Sequence, residues 1–443
     1  LDEVFPVTNM EILEQAYHKG RGVILLTYHS PVNRLAVLAL SQRLKGETIP
    51  AISEKQARLE SGHWQENYAR DLPDRELAAL KAGIALEGQH LLEQGNFLKI
   101  LASMQSAAGD MAKQAMQHGL AACQGSHLII SGLGGLFVGL ALAEKLDIPL
   151  LKAYLYPFTP TVEFPGVLTP LPQTRLTSWA NPLSHRLAQQ MMWQATRMAD
   201  NQARRQVLVL RPGPFWGPFS GNEARQITLY GYSQFVVPRP EDWHASQQVT
   251  GYWFLEPSQS WQPEQGLEDF LKSGPPPVFI GFGSMGAKNA AQTTELVLQA
   301  LAQSGQRGVL LSDWNGLQAE TLPSSVSLTG AVPYAWLFPR MAAVVHHGGA
   351  GTTSAGLAAG VPSILVPFMG DQPFWGQRVY HLGVGPQPIP RRRLTVEKLS
   401  DAVRVAVTDT EMRRAAANLG ERIRGENGVA QAVTLIQQSG LLG

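Results

Sequence analysis

Short continuous apolar runs alternate along this chain with longer stretches in which apolar residues recur at helical spacing, the pattern of buried strands leading into amphipathic helices. Residues 22–28 (GVILLTY), 47–52, 126–130 and 149–154 read as strands, and 35–44 and 135–146 as the helices between them. Each strand–helix–strand set is a βαβ unit, so the first half is expected to form a parallel sheet with right-handed crossovers. The pattern restarts at Pro275-Pro-Pro-Val-Phe-Ile-Gly, with further strands at 308–311, 326–328, 342–345 and 363–367 and helices between them. Residues 237–265 are rich in Pro, Trp, Ser and Gln and lack periodicity. They place a linker near 240–250 and divide the chain into domains 1–245 and 246–443. The expected fold is α/β, with two doubly wound sheets in series. A further helical stretch, 183–205, carries Met191, Met192, Trp193 and Met198. Such a face reads first as core packing and second as an acceptor or membrane surface.

Composition narrows the class. A chain of 443 residues is too long for one core, which implies two domains of about 200 residues each. Lys and Arg total 36 against 35 Asp and Glu, so the net charge of +1 offers no field for nucleic acid. A single cysteine, Cys123, cannot form an internal disulfide, which points to a cytoplasmic protein. The opening Leu1-Asp-Glu has neither a basic segment nor an apolar one behind it. The longest apolar run, 128–143, is broken by Ser131 and several glycines and falls short of the roughly 20 residues a spanning helix needs.

The chemistry concentrates in Val344-Val-His-His-Gly-Gly-Ala-Gly-Thr-Thr353 and Asp371-Gln-Pro-Phe-Trp-Gly376. The first segment reads as a strand, a glycine turn and a small-residue helix over 352–359, whose free N–H groups and positive dipole end suit a phosphate. Glycines at 348, 349 and 351 admit close approach, while His347, Thr352 and Thr353 add side-chain donors. Asp371 and Gln372 fall just past the next strand, where open α/β sheets bind ligands. A diphosphate in the loop would leave them beside a polyhydroxylated group, which fits a nucleotide sugar. Adjacent His346 and His347 leave a strand on opposite sides with no acidic or thiol partner at ligand spacing, so no metal ion is expected. Gly281-Phe-Gly-Ser-Met-Gly286 suggests a second phosphate-facing turn, with Ser284 as donor. Gly132-Leu-Gly-Gly-Leu-Phe-Val-Gly139 lacks the acidic residue a dinucleotide ribose needs and reads as close helix–sheet packing.

The run HHGGAGTTSAGLAAGVPSILVPFMGDQPFWGQRV, with GFGSMG upstream, resembles the donor site of the inverting UDP-glycosyltransferases, most like the sterol 3-β-glucosyltransferase branch and its bacterial relatives. Phe158-Thr-Pro-Thr161 with Phe164-Pro165, Val237-Pro-Arg-Pro-Glu-Asp-Trp243 and Gly383-Val-Gly-Pro386 carry the same resemblance, over about 95–437. It implies the GT-B architecture, two Rossmann-like domains facing a central cleft, with the helices over 396–438 crossing back to the first domain. It implies transfer of a hexose, glucose by preference, from a UDP-sugar to a hydroxyl of a sterol, lipid or polyketide, without metal or cofactor, the UDP-sugar being a substrate. Ser284, His347, Gly349, Gly351, Thr352 and Thr353 would hold the diphosphate, Asp371 and Gln372 the sugar, and Val332 the uracil, with Trp314 a stacking candidate. Peripheral membrane contact is an open reading. The cluster Arg391-Arg-Arg393 reads as solvated, although an anionic membrane surface would attract it by about 1 kcal/mol per residue.

Inverting transfer needs a base for the acceptor hydroxyl. In the relatives the loop after the first strand supplies an acid; here that loop is Tyr28-His-Ser-Pro-Val-Asn-Arg34, with Asn33 at the acid position. Asparagine cannot take a proton, whereas His29 has a suitable intrinsic pKa. His29 is the candidate base, and the competing reading is a nucleotide-sugar binding protein that lost its base. Residues 5–29 also resemble the run leading to the catalytic histidine of lipid-A-type and lysophospholipid acyltransferases, but Arg34 stands where that family has an acid. The first ninety or so residues are therefore open between a divergent sheet unit, a fusion remnant and a junction.

Overall fold

The computed structural model describes residues 22–26, 97–169, 178–219, 226–254, 261–282, 290–312, 322–330 and 332–441. His29, Asn33, Ser284 and Trp314, and the strand and helix expected at 47–52 and 35–44, lie outside these residues.

The first unit contains strand β1 (Gly22–Leu26), helix α1 (Phe97–Cys123), β2 (Ser126–Ser131), α2 (Leu136–Leu146), β3 (Leu150–Tyr154), α3 (Asn181–Ala203), β4 (Thr228–Tyr230) and β5 (Gln247–Val249). Its strands pair in parallel in the order β1-β2-β3-β4-β5. β3 is buried at every position, as a parallel strand covered on both faces must be. β1 comes from the acyltransferase-like opening, yet its residues run level with β2 from Gly22 opposite Ser126 to Leu26 opposite Ser131, so this strand is part of the same sheet. Gly139 allows α2 to lie close on the sheet, since a Cβ there would meet the Ser131 Oγ at 3.0 Å and Leu150 Cδ1 at 3.1 Å.

The second unit runs α4 (Gln265–Lys272), β6 (Val278–Gly281), α5 (Ala290–Ser304), β7 (Gly308–Leu311), β8 (Val326–Thr329), α6 (Tyr334–Leu337), β9 (Ala343–His346), α7 (Ala350–Ala359), β10 (Ser363–Leu365) and α8 (Gln372–His381), then α9 (Val396–Thr408), α10 (Thr410–Arg424) and α11 (Gly428–Gln438). The strand order is β10-β9-β6-β7-β8, all parallel. The chain winds outward on one side from β6 and on the other from β9, so the topological switch point lies between these two strands.

Two expectations need correction. The boundary at 245–246 falls one strand early: β5 pairs with β4, and Trp253 packs into the first unit's core while donating to Thr250 Oγ1 at 2.8 Å. The methionine face of α3 is only partly core. Trp193 is buried, but Met191 and Met198 are 60% and 66% exposed, because the helix offers its neighbour α1 a different side.

The two units share their core. Tyr232, Val236 and Trp243 of the first lie in one apolar cluster with Leu365, Trp375 and Val379 of the second. Arg378 donates from Nε to the Val236 carbonyl, and the Arg422 guanidinium lies 3.9 Å from the Phe235 ring centre. The last helix crosses back, as expected: Val429, Ala432, Val433 and Ile436 of α11 cover Leu128, Ile130, Leu151 and Leu229 of the first sheet. Its start is tight, since a Cβ on Gly428 would meet the Tyr252 carbonyl at 2.4 Å. Ile436 is fully buried. Ile436→Ala is expected to cost about 2–5 kcal/mol and to shift the urea midpoint of the whole chain, because the helix closes the first unit's sheet. An unchanged midpoint in a urea titration followed by far-ultraviolet dichroism would show that α11 docks only loosely.

Candidate active site

Strand β9 ends at His346, level with Gly281 of β6 and Leu365 of β10. The turn that follows therefore opens at the carboxyl edge of the sheet, beside the switch point. Gly348 takes a positive φ of +90°, and a Cβ there would meet Leu365 Cδ2 at 3.1 Å and the Gln372 carbonyl oxygen at 3.3 Å. This contact brings the glycine turn against the start of α8, so the two segments singled out in the sequence form one site.

The turn is braced from within. The Gly348 N–H donates to His346 Nδ1 at 3.1 Å, which leaves the proton of a neutral imidazole on Nε2. Burial and then the neighbouring His347 push the His346 pKa down to about 3, and burial pushes that of His347 down to about 4. Both rings are therefore neutral at physiological pH. The His347 ring lies across Gly349, where a Cβ would stand 2.6 Å from Nε2, so only glycine lets the imidazole rest on the helix start.

Helix α7 begins without a cap. Gly349 holds the N-cap position and has no side chain, and the first amide one turn in, that of Thr353, bonds the Gly349 carbonyl at 2.9 Å. The amides before it have no carbonyl one turn back. The terminal helices behave differently: Thr395, Asp409 and Asn427 each cap their helix through a side-chain oxygen. Around the uncapped end, His347 Nδ1 and Thr353 Oγ1 are buried without a hydrogen-bond partner. Ser354 is spent within the helix, donating to the Gly351 carbonyl at 2.7 Å. Thr352 is buried in the first turn. Free helix-start amides at a positive dipole end, beside these unpaired polar atoms, suit an oxyanion.

Asp371 accepts from the Trp375 indole N–H at 2.9 Å, one turn along α8. Gln372 is held by its carbonyl end, which accepts from the amides of Phe368 and Met369 at 2.8 and 3.2 Å. Val332 sits after β8, partly buried against the cluster of Leu267, Phe279 and Leu337. Arg391 bonds Thr293 Oγ1 at 2.8 Å, while Arg392 and Arg393 are exposed.

The first unit completes the surroundings. Its two resembling segments are stitched together: Thr161 Oγ1 donates to Asp242 Oδ1 at 2.6 Å, and the Val162 amide to Asp242 Oδ2 at 2.9 Å. Tyr230 stacks on Trp243 with ring centres 4.5 Å apart and donates to Thr159 Oγ1 at 2.6 Å. Phe164, steadied by His185 Nε2 against its carbonyl at 3.0 Å, faces Phe374 of α8 with ring centres 6.2 Å apart. The Tyr156 hydroxyl is held above its usual range by burial and then by the Asp371 charge, which places the two groups within electrostatic reach. Tyr156 stands alone in the sequence and gave no motif; Trp375 was visible as the residue four after Asp371.

Comparison with solved structures gives the fold. The chain matches the glycotransferase of kitacinnamycin (TM-score 0.56, 17% identity, 94% of this chain and 98% of the other) and the glycosyltransferase SnogD of Streptomyces nogalater (0.55, 17%, 94% and 99%). The two parallel α/β units of this chain have the GT-B fold of these glycosyltransferases. The family model "Erythromycin biosynthesis protein CIII-like, C-terminal domain" matches residues 295–433. Two sterol 3-beta-glucosyltransferases of Arabidopsis thaliana are 41% and 39% identical over 293 and 292 residues, each covering 66% of this chain and 47% and 45% of the relative. One from Cryptococcus neoformans is 36% identical over 340 residues, or 71% of this chain and 21% of its own length. The chain is thus a homologue of the sterol 3-beta-glucosyltransferases, and it spans about half the length or less of these relatives.

Burial pushes the Asp371 carboxyl up to about 6, against the pull of the Trp375 bond. The native protein keeps this proton between about pH 4 and 6, where an unfolded Asp has released it, so the group's contribution to stability falls as pH rises through that window. Because the indole of Trp375 bonds this carboxylate, tryptophan emission should titrate with a midpoint near 6, and Asp371→Asn should abolish the transition. A transition that survives in the asparagine variant would assign it to another group.

Proposed function

We propose that the chain transfers a hexose, glucose, from a UDP-sugar to the hydroxyl of an apolar acceptor such as a sterol, with inversion and without a metal ion. The observation that carries this reading is the uncapped start of α7 with its unpaired donors, set against the carboxylate of Asp371. Amides of 350–352, His347, Thr352 and Thr353 would hold the diphosphate, with Ser284 as a further donor. The helix dipole and these hydrogen bonds stabilise the charge that builds on the leaving diphosphate, which is the work a metal ion does elsewhere. Asp371 would accept from sugar hydroxyls, and the Gln372 NH2 group would donate to them. Val332 would meet the uracil. The relatives' names add the glucosyl group and the sterol.

For the base, support comes from β1. Leu26 runs level with Ser131, so the chain leaves this strand at the carboxyl edge of the first sheet, the edge at which ligands of such sheets bind. His29 follows shortly after. It would take the acceptor proton as the hydroxyl oxygen attacks the anomeric carbon and the C–O bond to the diphosphate breaks, UDP leaving from the opposite face.

His347→Ala and Thr352→Ala should each weaken UDP binding by roughly 1.5–3 kcal/mol, the value of a hydrogen bond to a charged oxygen. Asp371→Ala should spare UDP and weaken only UDP-glucose. Calorimetry that finds equal losses for both ligands in the Asp371 variant would remove it from the sugar subsite.

His29→Ala should lower turnover about a hundredfold or more, with donor affinity unchanged, since general-base assistance contributes that much. The rate should fall as pH drops through the histidine's pKa, because only neutral imidazole accepts a proton. A gain in rate from Asn33→Asp, with His29→Ala harmless, would assign the base position to residue 33. UDP binding without turnover on any hydroxylated acceptor would leave a nucleotide-sugar binding protein.

A further inference from the structure

Helix α3 presents a face that no described element covers. Its inner side buries Ala188, Gln189 and Trp193. On the outer side Leu183, Leu187, Met191 and Met198 are 63%, 53%, 60% and 66% exposed, and Trp179, in the 3-10 turn just before the helix, is 77% exposed. Their spacing sets them in one stripe along the helix. A loop edge is pinned beside it: Gln194 donates from Nε2 to the Phe215 carbonyl at 2.7 Å and Gln190 from Nε2 to that of Trp216. Phe215 and Trp216 are themselves 56% and 66% exposed. Scattered apolar residues are ordinary on a surface, but a continuous patch of this kind marks something that docks there.

Charge selects the occupant. Between residues 178 and 219 the sole acidic residue is Asp200, which is buried. Arg186, Arg205 and Arg211 are exposed in the same stretch, and the Arg197 guanidinium lies 5.1 Å from the Phe215 ring centre. An apolar stripe with tryptophan at its end, arginine at its flank and no exposed carboxylate of its own between residues 178 and 219 has the make-up of a helix that lies in a lipid interface, Glu144 being paired with Arg204 at the far end. We infer that α3 and the 215–216 edge seat this protein on an anionic bilayer, with Trp179, Leu183, Leu187, Met191 and Trp216 entering the interface and the arginines meeting lipid phosphates. The arginines supply attraction, and the apolar stripe supplies residence. This docking is independent of the transfer reaction and holds whatever the site turns over.

The test is sedimentation of the full chain with vesicles of phosphatidylcholine containing about one third phosphatidylglycerol, compared with phosphatidylcholine alone. The natural chain should sediment with the mixed vesicles, bind the neutral ones much less, and be released by high salt. Leu187→Ser with Met191→Ser should lower binding about tenfold or more, since each leaves an apolar contact unmade. Arg186→Gln and Arg205→Gln should each lower it about fivefold on the anionic vesicles only. These side chains are exposed, so an unchanged melting temperature will confirm that the variants fold. As a second readout, brominated lipid should quench tryptophan emission in the natural chain, and Trp179→Phe with Trp216→Phe should remove most of that quenching. Failure of the natural chain to sediment, or full binding by the Leu187 and Met191 variant, would overturn the proposal. So would a concentration-dependent dimer that this variant abolishes, which would give the face to a second copy of the chain.

Discussion

The close approach of Gly348 to the first residue of α8 is the constraint on which the site depends. A left-handed backbone at Gly348 turns the chain out of β9, and the missing side chain lets that turn rest on the Gln372 carbonyl. Any side chain would both strain the φ of +90° and push α8 away from α7. The start of α7 and the carboxylate of Asp371 come from separate βα units, and this contact, with Leu357 and Trp375 in one apolar cluster, holds them together. Parallel pairing of β9 with both β6 and β10 then points the assembly out of the sheet's carboxyl edge.

The site keeps its polar groups ready at a cost to folding. His347 and Thr353 carry buried donors without partners, and α7 lacks the side-chain cap that three later helices have. An Asp or Ser at Gly349 could cap the helix only by displacing the His347 ring, which a Cβ there would meet at 2.6 Å. The two histidines are held neutral by burial while the Asp371 carboxyl is pushed up to about 6. Desolvation thus strengthens the hydrogen bonds these groups can offer.

Much of the second unit was legible because its strands are buried on both faces and so read as unbroken apolar runs; 308–311 matches β7 residue for residue. The donor segment was legible for a different reason, since glycines at forced positions and a helix start leave a recognisable spacing. The end of the first unit was not. β5 reads Gln-Gln-Val, a short polar strand set among tryptophans and prolines, and only its pairing with β4 shows that it belongs to the sheet. The face of α3 was half legible: its periodicity announces a helix, but a Met and Trp stripe looks the same whether it meets a core or a solvent boundary. Tyr156 gained its place through the approach of Asp371, far along the chain, which no local pattern encodes.

The proposed transfer fixes the anomeric configuration of its product. With UDP-α-glucose and a sterol such as cholesterol, in-line attack opposite the diphosphate turns the anomeric centre over. The proton coupling of the isolated glycoside should therefore be that of a β-linked glucose, formed in step with released UDP. An α-linked product would contradict the single displacement, and the absence of any glycoside across a panel of apolar alcohols would contradict the transfer itself.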